Sequence, residues 1–164
     1  MTKKIFICLL PTVFLATVSL AEAQQTIFLV RHGEQSTEIK DPPLTEAGKR
    51  RAMALATLLK DAGINVIYGS DLRRTIQTAE PLAKALNIEI KPYPRADMDG
   101  LISKLRTQHA QDRVLIVHHA LRIPRLLKAL GHPEEVKIPL DEYNNLFVIV
   151  PKADGAPLVI RLRY

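Results

Sequence analysis

The sequence predicts a three-layer α/β sandwich: a largely parallel central sheet, helices on both faces, and an antiparallel element at one edge. Three observations carry this. Compact apolar runs of strand length alternate with amphipathic runs of helix length between residues 26 and 130, the pattern of parallel strands joined by crossover helices. The strand runs are densely apolar, as strands covered on both faces are. Two last apolar runs, Leu146–Val150 and Leu158–Leu162, are joined by Lys152-Ala153-Asp154-Gly155, a hairpin-like link.

Taken in order, Thr26–Arg31 (TIFLVR) reads as a buried strand. Leu44–Ala62 reads as a helix, with Thr45 as N-cap, Pro42 and Pro43 before it and Gly63 after it. Ile64–Tyr68 is a second strand and Leu72–Leu86 a second helix, which Pro81 is expected to kink or split. Ile88–Ile90 is a short strand, Asp97–His109 a helix weakened by Gly100, and Val114–Val117 a strongly apolar strand. Ile123–Leu130 closes the series as a helix with Pro124 in its first turn and Gly131 at its end.

The 164 residues are 47% hydrophobic and 24% charged, which excludes a disordered chain and leaves room for one domain. Aromatics make up 5%, with no Trp, too few for a surface that stacks many bases. One cysteine, Cys8, excludes an internal disulfide framework and Cys-rich zinc sites. The net charge of +6 favours anionic ligands without naming one. Residues 1–23 have the layout of a secretory signal peptide: Lys3 and Lys4, an apolar stretch to Leu20, then Ala21-Glu22-Ala23. Cleavage is expected after Ala23, leaving a single domain over 24–164, a secreted or periplasmic location and no stable membrane insertion. The sequence does not indicate an oligomeric state.

The first chemical motif is Arg31-His32-Gly33-Glu34, directly after the strand TIFLVR. Ligands gather at the carboxyl ends of strands in such sheets. Arg31 is a permanent cation suited to phosphoryl oxygens, and a neutral His32 offers an imidazole nitrogen as nucleophile. Gly33 suits the close approach of a ligand or of neighbouring backbone. A second candidate, Ser70-Asp71-Leu72-Arg73-Arg74-Thr75-Ile76-Gln77-Thr78-Ala79, follows a strand and opens a helix, where anions are favoured. A third, His118-His119-Ala120, ends the strand Val114–Val117. A histidine pair also raises a metal site, but no further ligands stand at workable spacing, so neither metal nor cofactor is expected.

LVRHGE resembles the signature of the histidine phosphatase superfamily, branch one, also called phosphoglycerate-mutase-like. Leu44-Thr45-Glu46-Ala47-Gly48 resembles the family's LTE-x-G element, with a structural role in capping the helix and fitting it against the motif loop. The resemblance implies His32 as the residue transiently phosphorylated, Arg31 and Arg74 as phosphate-binding together with Gly33, and His119 as the second active-site histidine. It also implies a carboxylate general acid after the third strand. The candidates here are Asp97 and Asp99; Asp97 is equally suited to cap the next helix, which is the reading preferred, and Glu34 or no acid at all are the alternatives. His118 departs from the small residue usual before the second histidine, and Arg122 stands where polar residues are commoner. Each has an open role: His118 crowds the pocket or adds a third imidazole, and Arg122 contacts phosphate or faces solvent. Tyr143 and Leu146-Phe147-Val148 are read as core packing.

The resemblance implies a metal-independent phosphatase acting through a phosphohistidine on a small phosphorylated substrate or a phosphoprotein. Without a general acid, phosphoramidates and aryl phosphates are the expected substrates. The rivals are a non-catalytic phospho-ligand binder of the same fold and a phosphoglycerate-mutase-type phosphotransferase, which usually needs longer inserts. A nucleic-acid module rests only on Lys49-Arg50-Arg51 and the Arg125/Lys128 face. Such runs are usually solvated, and no nucleic-acid partner is expected.

Overall fold

A computed structural model describes residues 24–38 and 40–164, so the expected leader lies outside the described residues. Six strands and four helices follow in the order β1 (Thr26–Arg31), α1 (Glu46–Leu59), β2 (Val66–Ser70), α2 (Arg73–Leu86), β3 (Ile90–Tyr93), α3 (Met98–Thr107), β4 (Arg113–His118), α4 (Ile123–Ala129), β5 (Asn145–Val150) and β6 (Leu158–Arg163). They form one mixed sheet in the order β3-β2-β4-β1-β5-β6. The pairs β3–β2, β2–β4 and β4–β1 are parallel, while β5 runs antiparallel to both β1 and β6. None of the described helices is long and apolar enough to cross a membrane.

The period of two along each strand splits the core into two layers. Ile27, Leu29, Val114 and Ile116 face one way and pack with Leu101, Leu105, Ile123 and Leu126 of α3 and α4. Phe28, Val30, Leu115 and Val117 face the other way and pack with Leu55, Leu59, Ala79 and Leu82 of α1 and α2.

Differences from the sequence expectation have local causes. Helix α1 starts at Glu46 because Thr45 caps it, its hydroxyl accepting from the Gly48 N–H at 3.1 Å. Strand β2 runs two residues past Tyr68 and so carries Ser70 to the sheet's carboxyl edge. Helix α2 continues through Pro81; the burial of Ala79, Leu82 and Ala83 outweighs one missing N–H. Strand β3 lies at Ile90–Tyr93, not Ile88–Ile90. It is an edge strand, where Pro92 needs no ladder partner on its outer side.

The Leu44–Gly48 segment grips the loop after β1. The Glu34 carbonyl accepts from the Thr45 N–H at 2.8 Å and from the Thr45 hydroxyl at 3.2 Å. A Cβ on Gly48 would collide with the Glu34 carbonyl, and one on Gly33 would lie 2.8 Å from the Gly48 carbonyl. Both obstacles are backbone and cannot swing aside. Gly48→Ala is therefore expected to cost about 3 kcal/mol, read as a lower midpoint in urea unfolding, with a parallel loss of any activity that depends on the loop.

Candidate active site

The register of two strands builds the centre of the site. β1 and β4 pair in parallel with Arg31 opposite His118, and the His32 N–H donates to the His118 carbonyl at 3.0 Å. The next side chain on each segment, His32 and His119, therefore clears the same sheet edge, and the two ring centroids lie 5.3 Å apart. Ser70 ends β2 on the other side of β4, one step beyond the Gly69–Val117 pair. Its hydroxyl lies 2.9 Å from His119 Nε2 and 3.0 Å from Thr75 Oγ1.

His32 is almost fully buried. Its Nδ1 sits 2.8 Å from the Gly33 carbonyl, an acceptor only, so Nδ1 carries the hydrogen and Nε2 keeps the lone pair. Arg31 is fixed from below: its Nη1 donates to the carbonyls of Leu140 at 2.7 Å and Glu142 at 2.9 Å, and its guanidinium carbon lies 3.7 Å from the centre of the Tyr143 ring. Arg74, in the first turn of α2, is mostly buried and has Asp41 3.9 Å away. The Nε atoms of both arginines are buried and have no partner among the described residues. Arg31, His32, Arg74 and His119 line a common cleft of about 250 Å³ with Arg95, Arg122, Leu121 and Leu140. Larger hollows of about 530 and 590 Å³ lie beside Asn87 and Gln111, but neither contains a histidine or a pair of arginines.

Two residues picked from sequence are placed elsewhere in role. The Gly33 N–H is already spent, donating to Thr78 Oγ1 at 2.9 Å. Gly33 thus serves close packing and orients the His32 ring, and does not offer its amide to phosphate. Asp97 is exposed and caps α3, accepting from the Gly100 N–H at 2.9 Å; it does not line the cleft. Nor do the alternatives. Asp99 borders a separate surface hollow beside Arg106. Glu34 is clamped by Arg51, with Nη2 to Oε1 at 2.6 Å. Burial pushes the Glu34 carboxyl up, but the hydrogen bonds and charge of Arg51 outweigh it and hold the group below its usual range.

Three features escaped the sequence reading. Tyr143 is a platform for Arg31, with its ring 6.1 Å from that of His32, and not merely core packing. Arg95 joins the cleft from the loop after β3; no motif marks it. Ser70 is the partner of His119; its place in the S-x-L-x-R pattern was the available signal. His118 proves to be a core residue. Strand alternation turns it to the α3/α4 side, fully buried, with its ring 5.6 Å from Tyr93 and 5.3 Å from His119. Both of its ring nitrogens and the Tyr93 hydroxyl lack partners among the described residues.

All three clustered imidazoles are held neutral. Burial, then the charges of Arg74 and Arg31, lowers His32 to about 4 against one favourable bond to Gly33. Burial, His118, His32 and Arg74 lower His119 to about 2. Burial and Arg122 lower His118 to about 4. A folded-state value below the unfolded 6.5 gives stability that is fully present above pH 6.5 and drains away as pH falls towards 4. For His118 alone the drop corresponds to about 3 kcal/mol. His118→Phe is therefore expected to flatten the fall of Tm between pH 6.5 and 4 and to raise Tm at pH 5, as thermal melts across that range would record.

Comparison with known proteins places this geometry. Residues 27–97 match the sequence pattern of the histidine phosphatase superfamily (branch 1). "Probable phosphoglycerate mutase GpmB" of Proteus mirabilis (strain HI4320) is 42% identical over 76 residues, covering 42% of this chain and 35% of that protein. The protein of the same name from Escherichia fergusonii gives the same figures. The chain thus spans about a third of the length of the curated relatives it matches. Among solved structures, the protein histidine phosphatase SixA complexed with tungstate superposes with a TM-score of 0.69 at 22% identity, over 84% of this chain and 96% of that one. Phosphoserine phosphatase of Entamoeba histolytica, in complex with 3-phosphoglyceric acid, gives 0.66 at 17% identity over 85% and 97%. At these identities the structural likeness speaks for the fold. The matched stretch contains the R-H-G-E, L-T-E-x-G and S-x-L-x-R motifs in order, so residues 27–97 carry the sequence pattern of the histidine phosphatase superfamily, branch 1.

Proposed function

We propose that this chain is a metal-independent phosphatase that works through a phosphohistidine on His32. The observation that carries this is the His32 ring, held by the Gly33 carbonyl with Nε2 left basic, in a cleft shared with Arg31, Arg74 and His119. The orphaned Nε–H groups of the two arginines are ready donors for phosphoryl oxygens. The 2.9 Å contact between the Ser70 hydroxyl and His119 Nε2 fixes the His119 ring beside that of His32. Together these groups offset the charge of a phosphoryl dianion brought against the nucleophile and stabilise its equatorial oxygens in the transition state. The Nε2 lone pair bonds to phosphorus as the bond to the leaving group breaks, its electron pair departing with the leaving atom. Water then adds to phosphorus and gives up a proton to solvent, the P–N bond breaks, and the pair returns to Nε2.

Among the described residues no carboxylate lines the cleft, so on this reading a leaving group departs without a carboxylic proton donor. That favours aryl phosphates and phosphoramidates, phosphohistidine among them. The expected result is that p-nitrophenyl phosphate is hydrolysed at least ~100-fold faster than an alkyl phosphate under chemistry-limited conditions, with no metal added and orthophosphate as product. Equal rates would overturn the leaving-group reading. Transfer of the phosphoryl group to an added alcohol in preference to water would establish the mutase-type alternative, to which the names of the sequence relatives point. Residues 1–23 support a secreted or periplasmic setting by sequence alone.

A further inference from the structure

Four guanidinium groups border the cleft, yet a single phosphoryl group accounts for two of them. Arg31 and Arg74 are mostly buried beside His32, whereas Arg95 is exposed and Arg122 half-exposed. Arg95 enters from the β3–α3 loop and Arg122 from the turn after His119. Both are anchored by their main chains. The Arg95 N–H donates to Asp71 Oδ1 at 3.1 Å, and the Asp71 N–H donates in turn to the Tyr93 carbonyl at 3.0 Å. The Arg122 N–H donates to the His119 carbonyl at 2.9 Å.

What sets Arg95 and Arg122 apart from Arg50 and Arg125, which also lack a side-chain partner among the described residues, is their place on the cleft. Arg51, Arg73, Arg161 and Arg163 each stand within ion-pair distance of a glutamate. Among the described residues Arg95 and Arg122 have no ion pair or side-chain hydrogen bond, and none of those lining the cleft they border is acidic. The charge of Arg95 is felt at Arg74 and at His119, where it opposes their protonated forms. Placing further cations beside a site already rich in them costs free energy in the unliganded protein, and an anion held between them offsets that cost. Leu121 and Leu140, 72% and 63% exposed, supply apolar surface on the same cleft.

We propose that Arg95 and Arg122 form a second oxyanion subsite, so that the substrate is a phosphorylated compound bearing a further carboxylate or phosphate within a few bonds of the scissile phosphoryl group. This deepens the phosphatase reading and relies on it only for where the scissile group sits. The test is calorimetric titration of the purified protein and needs no turnover. Methylphosphonate is compared with α,ω-bisphosphonates of one to four methylenes and with phosphonocarboxylates of the same spacing.

At least one linked probe should bind ~10-fold tighter than methylphosphonate, beyond the twofold statistical advantage of two phosphonates. The double variant Arg95→Gln/Arg122→Gln should erase that gain while changing methylphosphonate affinity less than ~3-fold, and added salt should shrink the gain. Relative affinity of the two probe series tells a second phosphate from a carboxylate. Equal affinity for single and linked anions, or a gain that survives the double variant, overturns the subsite. If the gain appears while His32-dependent hydrolysis does not, the subsite stands and the phosphatase reading falls; the reverse pattern removes the subsite alone.

Discussion

His32→Ala is expected to slow hydrolysis of p-nitrophenyl phosphate by at least ~10⁴-fold while leaving the fold intact. The ring makes one hydrogen bond, to the Gly33 carbonyl next to it in sequence, so its removal costs chemistry and little structure. The native chain, quenched in the steady state, should carry acid-labile phosphate that the variant lacks. A variant retaining more than a hundredth of the native rate would show that another group attacks phosphorus. The same residue sets the acid limit. With His32 lowered to about 4 by burial and by Arg74 and Arg31, the nucleophile stays unprotonated through the mildly acidic range. The acid limb of kcat/KM, corrected for the second ionisation of the substrate near ~6, should fall near pH 4 and not near 6.5.

Arg31→Ala is the second large effect, with kcat/KM expected ~10³-fold lower. The loss has two parts because the guanidinium has two tasks. One arm ties down the carbonyls of Leu140 and Glu142, the plane rests on Tyr143, and the Nε–H is left for substrate. Lysine has the charge but neither the plane nor the fork, so Arg31→Lys should regain less than ~10-fold of the loss. Limited proteolysis should cut both variants faster within residues 139–143. Native-like kinetics in Arg31→Lys would mean that charge alone matters and that the fork is incidental.

The fold was legible because apolar runs and helix caps are local signals. TIFLVR is β1 to the residue, and Thr45 and Asp97 cap the helices they precede. Strand ends were less legible, since polar Ser70 belongs to β2 by pairing and not by composition. At the site, His32 and His119 were readable because each follows an apolar strand, and parallel pairing then brings them together. His118 was readable in principle: it continues the face of Val114 and Ile116, so alternation alone assigns it to the core. Arg95 and Tyr143 were not, because long-range packing and no motif draws them in. Gly33 was legible as a point of close backbone approach, whereas its phosphate-binding assignment failed for a comparable reason. Whether a backbone amide is free depends on a threonine 45 residues away.

Hydrogen bonding between the segments that carry His32 and His119 has a practical corollary for protein engineering. The spacing of the two rings is inherited from the sheet and does not answer to loop sequence. Libraries diversified at positions 95, 121, 122 and 140 can therefore retarget the molecule while its reaction centre keeps its dimensions, much as interchangeable jaws are fitted to a rigid vice.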